Sequence, residues 1–356
     1  MAKIFAFLSP RSLGNFAMGA VMASSIRELF DEAELYVYYR DDRPYKKHIV
    51  NCIRNVDGVI SSPPGPKGML PIDLFDPYGG RVIWNNEQFE NARLKDADLI
   101  LCGSMLKEGG LFSIPLVTLR PPPESIDESD QALLAMGVDP SKWIACVYWK
   151  EPGYPFRWED PRRLIYDPAP YIAAIRHIVE DLGGQVIRLG HPTGIEIPEM
   201  KGFFDLAKVA DSEWLQLYAV TVARFFLGSG SGPVSYGSAF GVPTAATDQT
   251  LCLGVWNPQD YVVTQHFQLD GKILNQAAAF DAGCLFAKSD RDYELVRNTA
   301  ADLIAAADEM FNSTRNCLGW RQLAAYEPKL PRPNAVSLPL PARYSRDLVI
   351  PPSLRK

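Results

Sequence analysis

Apolar positions in this chain come as short unbroken runs that alternate with stretches of helical period. Lys3 to Leu8 is such a run, closed by Ser9-Pro10, and predicts a buried strand; after Leu13-Gly14-Asn15, the residues Phe16, Ala20, Ala23, Ile26 and Phe30 recur at the spacing of one helix face. Glu34 to Tyr39 is aromatic and β-branched and predicts a second strand, Pro44 to Asn55 a helix, and Gly58-Val59-Ile60 a third short strand before the turn cluster Ser61 to Gly68. Val82-Ile83-Trp84, Asp98 to Gly103 and Ser113 to Leu119 extend the series. Strands that alternate with helices predict a parallel sheet, since each parallel connection needs a crossover that a helix supplies.

Arg120-Pro121-Pro122-Pro123-Glu124 interrupts the pattern, because successive prolines supply no N–H and fix an extended chain. The alternation restarts after a helix over Asp130 to Met136. Trp143 to Trp149 predicts a strand, Pro170 to Leu182 an amphipathic helix ended by Gly183-Gly184, Gln185 to Gly190 and Phe203 to Leu206 further strands, and Ser212 to Val222 a helix. Ala223 to Gly228 predicts an apolar strand, followed by Ser229-Gly230-Ser231-Gly232-Pro233, a helix over Val234 to Phe240 and a strand over Val242 to Thr247. Asp290 to Phe311 predicts one long Ala-rich helix. The seven prolines after Arg321 predict an extended surface tail. The two halves are both α/β, and no sequence repeat relates them.

With 356 residues, one core is exceeded and two domains are expected: 1–120, a linker over 121–142, 143–320, and the tail 321–356. A content of 47% hydrophobic and 22% charged residues excludes global disorder. Thirty-six basic against forty-two acidic side chains, with no basic run, argues against nucleic acid as a partner. The six cysteines form no C-x-x-C pair, and four of them sit in apolar runs such as Ile100-Leu101-Cys102; they read as buried hydrophobes of a reducing compartment. The four scattered histidines add no metal-ligand spacing, so no metal is expected. The apolar stretch near Met1 is too short for a signal segment and no run approaches a membrane span, which places the chain in the cytoplasm with at most peripheral membrane contact.

The stretch from Arg224 to Asp248 carries the most chemistry. A strand running into Gly228-Ser229-Gly230-Ser231-Gly232-Pro233 and then a helix sets unpaired N–H groups and two hydroxyls at the carboxyl edge of a parallel sheet, which suits a phosphate. The same glycines also fit a tight strand-to-helix turn in which they only relieve sterics. No lysine follows in phosphate-loop spacing and no G-x-G-x-x-G follows the first strand, which argues against a kinase or a nicotinamide dehydrogenase.

The run Arg224 to Pro233, with Phe240-Gly241-Val242-Pro243-Thr244 after it, resembles the donor-site segment of GT-B glycosyltransferases and is similar to the heptosyltransferase pattern. Gln185 to Gly190, Asp205-Leu206-Ala207 and Ser212 to Tyr218 are likewise similar to runs in a group of bacterial glycosyltransferases related to the heptosyltransferases. The resemblance covers about residues 143 to 310. It implies two doubly wound, Rossmann-like domains facing across a cleft. It implies a nucleotide-diphosphate sugar as donor substrate on the C-terminal domain and a glycan or lipid-linked acceptor on the N-terminal domain, as in polysaccharide or lipopolysaccharide biosynthesis. It also implies transfer without a catalytic metal or other cofactor. A sugar-nucleotide epimerase of the same fold and a non-catalytic sugar-nucleotide-binding protein are the alternatives.

Site expectations follow the strand ends. Gly228, Ser229, Gly230, Ser231 and Gly232 are expected at the donor, with Arg188 and His191 reaching its phosphates; Arg188 is alternatively paired with Glu151, and His191 alternatively a lone surface or core residue. Glu151, in Lys150-Glu151-Pro152-Gly153-Tyr154, and Asp248, in Thr247-Asp248-Gln249, are placed to hold the sugar or its phosphate, or else serve in ordinary turns and caps. Arg11, Gly14 and Asn15 are expected on the acceptor side. Heptosyltransferase-like sequences often carry Asp after this glycine as base; here it is Asn15, which cannot take up the proton. Asp41, Asp42, Asp76, Glu87 and Glu108 are the remaining base candidates, each also readable as a solvated carboxylate. Tyr36, Tyr38 and Tyr39 alternate as sheet-face packing does, in preference to stacking on a sugar.

Overall fold

Two parallel sheets organise the chain, each belonging to one of two compact units, Met1–Ile126 and Asp127–Lys356. The computed structural model describes residues 1–8, 13–62, 74–76, 80–82, 97–102, 116–153, 163–191, 195–249, 257–274, 278–279, 282, 293–314 and 343–344.

In the first unit β1 (Ala2–Phe7) leads to α1 (Leu13–Arg27), β2 (Ala33–Arg40), α2 (Pro44–Asn51) and β3 (Gly58–Ser62). Strands β4 (Leu74–Asp76) and β5 (Gly80–Val82) precede β6 (Leu99–Cys102), and the sheet order is β3-β2-β1-β6 with every pair parallel. An aromatic ladder fastens β1 to β2: Phe5 meets Tyr36 edge-on at 5.3 Å and Phe7 stacks on Tyr38 at 4.6 Å. Burial then pushes the Tyr38 phenol up to about 12. These tyrosines are therefore packing residues, as their alternation predicted.

Residues Phe16 through Ile26 of α1 are buried without interruption, a consequence of its small residues Ala17, Gly19, Ala20, Ala23, Ser24 and Ser25. The expected one-sided stripe is thus replaced by burial all round, and Phe30, beyond the helix end, is 42% exposed. The predicted strand over Ser113 to Leu119 is absent in its described part, residues 116–119. There the Val117 N–H donates to Ser25 Oγ of α1, and the Arg120 N–H donates to the Cys52 carbonyl, so the segment crosses the helices instead of joining the sheet. Of the predicted strand Val82-Ile83-Trp84 only Val82 is described; it ends β5, which pairs antiparallel with β4 in a separate two-stranded sheet.

Helix α3 (Pro123–Ala135) begins at the third proline of the predicted linker, seven residues ahead of the expected start, because proline suits a first helical turn whose N–H groups have no partner anyway. The second unit continues through β7 (Ile144–Tyr148), α4 (Ala169–Glu180), β8 (Gln185–Arg188), β9 (Phe203–Asp205), α5 (Glu213–Thr221), β10 (Phe225–Ser229), α6 (Val234–Phe240), β11 (Thr244–Gln249) and β12 (Tyr261–Thr264). After the antiparallel β13 (His266–Leu269), β14 (Lys272–Leu274) and β15 (Glu294–Val296) come α7 (Ala300–Ser313) and β16 (Arg343–Tyr344). The seven-stranded sheet runs β16-β12-β11-β10-β7-β8-β9, parallel throughout.

The single helix expected over Asp290 to Phe311 is divided. Glu294–Val296 is a strand, and α7 starts at Thr299, where a capping box joins the Thr299 hydroxyl to the Asp302 N–H and the Asp302 carboxylate to the Thr299 N–H. The described part of the proline-rich tail, β16, adds a strand to the sheet edge beside β12.

One face of the large sheet buries Trp143, Ala145, Val147, Val186, Phe225, Leu227 and Ala245 against Tyr171, Ile175 and Ile178 of α4 and Leu303, Ala307 and Met310 of α7. Any side chain at Gly237 of α6 would force its neighbours to shift, since a Cβ there would fall on Thr244 Oγ1 and 3.2 Å from Phe226 Cβ. Helix α6 ends on Gly241 in the left-handed conformation (φ 73°), ahead of Pro243. Beside α7, Arg224 donates to the Phe311 carbonyl at 2.7 Å and lies 4.2 Å over the Phe311 ring, closing the helix end.

Helices α4 and α7 are also joined by His177, whose ring nitrogens meet Asp181 at 2.7 Å and Asp308 at 2.8 Å. Burial by itself lowers the imidazole's pKa, but the hydrogen bonds and charges of Asp308 and Asp181 outweigh it and leave it raised.

Gly237→Ala is expected to cost about 1–3 kcal/mol through overpacking, read as a lower urea midpoint at unchanged slope. The raised His177 pKa contributes stability that is complete below the ordinary imidazole value of 6.5 and is lost as pH climbs through the folded-state value. The melting-temperature advantage of the native protein over His177→Gln is therefore expected to be largest near pH 5.5 to 6 and to shrink steadily above pH 6.5, in a series of thermal melts; an advantage that grows with pH would contradict it.

Candidate functional site

Strand order in the second unit reverses between β7 and β10. The chain leaves β7 toward β8 and β9 on one side, and leaves β10 toward β11 and β12 on the other. Loops that diverge at such a point leave the carboxyl edge of the sheet open, the standard ligand position in doubly wound sheets. The segments there are Trp149 to Gly153 after β7 and Ser229 to Pro233 after β10.

Hydrogen bonds tie these two segments together. Ser229 Oγ accepts the Lys150 N–H at 2.9 Å, Tyr148 Oη lies 3.3 Å from Ser231 Oγ, and the Gly230 N–H donates to the Thr247 carbonyl at 2.9 Å. Arg163 reaches the Gly230 carbonyl at 3.3 Å. Ser229 is only 2% exposed, so its hydroxyl braces the loop, whereas Gly230, Ser231 and Gly232 are half-buried. The part of the Gly-Ser loop that can meet a ligand is the 230–232 stretch.

Two of the glycines have steric reasons of their own. A Cβ on Gly228 would come 2.9 Å from the Tyr148 carbonyl and 2.6 Å from the Phe226 ring, and one on Gly230 would come 2.8 Å from Gln249 Oε1. These two glycines are required by strand and loop packing. Pro233, at φ −58°, sets the first turn of α6.

Arg188, at the end of β8, is 1% exposed and does not project into solvent. Its Nη2 is paired with Glu151, its Nη1 donates to both oxygens of Asp205 at 3.0 and 2.9 Å, and its guanidinium lies 4.4 Å over the Trp149 ring. Pairing with Glu151, the alternative left open by the sequence, is thus present, and Asp205 joins it as a second carboxylate. Burial lowers the Arg188 pKa while Asp205 pulls it back up, and guanidinium stays charged in either case. Removing one member of such a buried set leaves an uncompensated charge, at a cost of about 3–5 kcal/mol.

Asp248 follows the same logic. It is buried, sits at a left-handed φ of 47°, and accepts the Tyr171 hydroxyl at 2.7 Å and the Asn298 N–H at 2.8 Å, while its own N–H donates to Asn298 Oδ1 at 2.6 Å. Burial raises its pKa; the Asn298 N–H and the Tyr171 hydroxyl oppose the rise. The turn that it was alternatively read as capping begins at residue 250, outside the described residues. Two residues from β8, Gly190 is held by Gln216, whose Oε1 accepts its N–H at 2.9 Å and whose Nε2 donates to its carbonyl at 3.1 Å; the next residue, His191, is exposed. Tyr171 and Asn298 were not singled out from sequence, since their partner Asp248 lies 77 and 50 residues away; Asp205 and Gln216 fell within the runs that carry the resemblance but were given no role.

In the first unit Gly14 and Asn15 fall in the first turn of α1, just past the carboxyl end of β1 and half-buried. Asp41, just beyond β2, is exposed. Asp42 is paired with Lys46, which is fully buried and lies 5.5 Å over the Phe16 ring; burial lowers the Lys46 pKa and Asp42 opposes this. Asp76 is the last residue of β4, which pairs antiparallel with β5 and is not a strand of the parallel sheet. Arg11, Glu87 and Glu108 lie outside the described residues. Among the described residues, no helix is long and apolar enough to cross a membrane and no group of three or more His, Cys, Asp or Glu is placed to hold a metal.

No protein-family model matches the sequence, and no curated protein matches it. Solved structures do. A glycosyl transferase family 9 protein from Veillonella parvula DSM 2008 superposes with a TM-score of 0.55 at 11% identity, over 87% of this chain and 97% of that one. The E. coli heptosyltransferase WaaC with ADP gives a TM-score of 0.45 at 9% identity, over 88% and 99%. UDP-GlcNAc 2-epimerase from Methanocaldococcus jannaschii gives 0.35 at 10% identity, over 88% and 100%. The first of these likenesses spans both units and carries the fold: the chain has the two Rossmann-like α/β units of the GT-B architecture, as its sequence resemblance implied.

Proposed function

We propose that the protein is a glycosyltransferase that takes a sugar from a nucleotide-diphosphate donor. The observation that carries this reading is the half-buried 230–232 stretch with the Ser231 hydroxyl, at the strand-order reversal of an all-parallel sheet, on a fold shared with a glycosyl transferase family 9 protein. In this reading the Ser231 and Gly232 N–H groups and the Ser231 hydroxyl receive the donor diphosphate, while the Gly230 N–H stays on the Thr247 carbonyl. Tyr148, near Ser231 Oγ, orders that hydroxyl.

Departure of a nucleoside diphosphate builds negative charge on its bridging oxygen, and fixed dipoles aimed there lower the barrier without reorganising. The acceptor, a glycan or lipid-linked sugar, is assigned to the first unit, with Gly14 and Asn15 at the carboxyl end of β1. Asn15 cannot accept the acceptor's proton. Asp41 and Asp42, next along the carboxyl edge after β2, are the described carboxylates that remain for that task; Asp42 is already engaged by Lys46, which leaves Asp41 as the freer base. The reaction is assigned to the cytoplasm and to polysaccharide or lipopolysaccharide synthesis on the same reasoning.

A panel of UDP-, GDP-, ADP-, CMP- and dTDP-sugars in thermal unfolding tests the donor. At about 100 times its dissociation constant, one nucleotide class should stabilise the native protein by roughly 2.7 kcal/mol. That shift should fall sharply in Ser231→Ala and persist in Asp41→Asn, which should instead lose transfer to acceptor. No shift with any nucleotide sugar would sink the donor reading, and turnover of the donor sugar's configuration without acceptor would replace transfer by epimerisation.

A further inference from the structure

Arg188 was expected to touch the donor, yet its guanidinium is enclosed by Glu151, Asp205 and the Trp149 ring and is 1% exposed. Nothing in that enclosure is open to a diphosphate. What it does reach is the segment after β7, because Glu151 is adjacent to Lys150, whose N–H donates to Ser229 Oγ. Ser229 is in turn the last residue of β10 and the start of the Gly-Ser loop, and it is buried.

A continuous path therefore runs from Asp205 at the end of β9, through Arg188 at the end of β8, to Glu151 and Lys150 after β7, and on to Ser229 at the end of β10. These are four strands that neighbour one another in the sheet, in the order β9-β8-β7-β10. Backbone ladders fix the strands but end where the strands end, so the register of the loops beyond them needs side-chain ties. A planar guanidinium is suited to this, as it engages both carboxylates at fixed angles; an ammonium is a point charge and cannot.

We propose that Arg188 is a positioning residue: through Glu151 and the Lys150 amide it holds Ser229, and with it the 230–232 stretch, in the conformation that receives the donor. This rests on the reading of that stretch as the donor site. Asp205 contributes by fixing the opposite side of the guanidinium, so that the tie is anchored at β9 and pulls on the loop after β7 only.

Amide hydrogen exchange tests the mechanical part with no ligand present. In Arg188→Lys the Lys150 amide should exchange about tenfold faster, as it should in Ser229→Ala, while the amides of α7 keep their native rates. Glu151→Gln keeps the shape and an acceptor for Nη2 and should show the same local effect, smaller, if Arg188→Lys fails to fold. A Lys150 rate unchanged in Arg188→Lys and Glu151→Gln, or a rise spread equally over α7, would overturn the proposal.

Binding of whichever nucleotide sugar stabilises the native protein most tests the link to the donor. Arg188→Lys and Ser229→Ala should each weaken it about tenfold, and the double variant should be no weaker than the worse single, because both cut the same path. Multiplying losses with an unchanged Lys150 rate would mean that Arg188 meets the phosphates directly. If no nucleotide sugar binds the native protein, the donor reading falls, and the exchange rates alone decide whether Arg188 holds the loop.

Discussion

Burial of a parallel sheet on both faces is the constraint from which the rest follows. Its crossover helices cover both sides, so the middle of each strand is apolar, as Ile144 to Val147 and Phe225 to Leu227 are. Polar groups are then confined to the strand ends. Those that are buried there must find partners within the protein, since an unpaired one costs its full desolvation. The carboxyl edge is accordingly dense with paired polar groups: Arg188 Nη1 and Nη2 with Asp205 and Glu151, Asp248 with Tyr171 and Asn298, Ser229 with Lys150, while Arg188 Nε lies buried without a hydrogen bond.

The same constraint divides the edge residues into two kinds. Ser229, Arg188, Glu151 and Asp248 are enclosed and spend their hydrogen bonds on neighbouring loops. Gly230, Ser231 and Gly232 are half-buried; the Gly230 N–H is held by the Thr247 carbonyl, and Ser231 and Gly232 present backbone N–H groups and a hydroxyl. A rigid enclosed layer beneath a partly open one is what preorganised binding requires, because a loop already held in its bound form loses little entropy when a ligand arrives. Asp248 adds to this by accepting a left-handed backbone at the end of β11, a strain that its exchange of hydrogen bonds with Asn298 offsets.

The fold was readable where local pattern and burial agree. Apolar runs such as Ile144 to Val147 and Phe225 to Gly228 are strands buried on both sides, and Gly183 and Gly241 follow their helices in left-handed conformation. Pattern failed where two signals overlapped. The Ala-rich stretch after Asp290 reads as one helix by propensity, but Glu294–Val296 pairs with β13, and the Thr299–Asp302 capping box marks the true start. Ser113 to Leu119 has a strand's composition, while the donors of Val117 and Arg120 are taken by Ser25 and Cys52 instead of a neighbouring strand.

The amino-acid order by itself determined the two α/β halves, the Gly-Ser loop between a buried strand and a short helix, and the candidacy of the residues at the strand ends, since each of these depends on neighbours within a few positions. Which of those residues face a ligand and which brace the loops was decided only by the tertiary structure. Arg188 and Asp205 lie 17 residues apart, Glu151 and Arg188 lie 37 apart, and Asp248 and Tyr171 lie 77 apart. Their meeting depends on the strand order of the sheet, and hydrogen bonding and desolvation act on distances in space that the order of residues along the chain does not state.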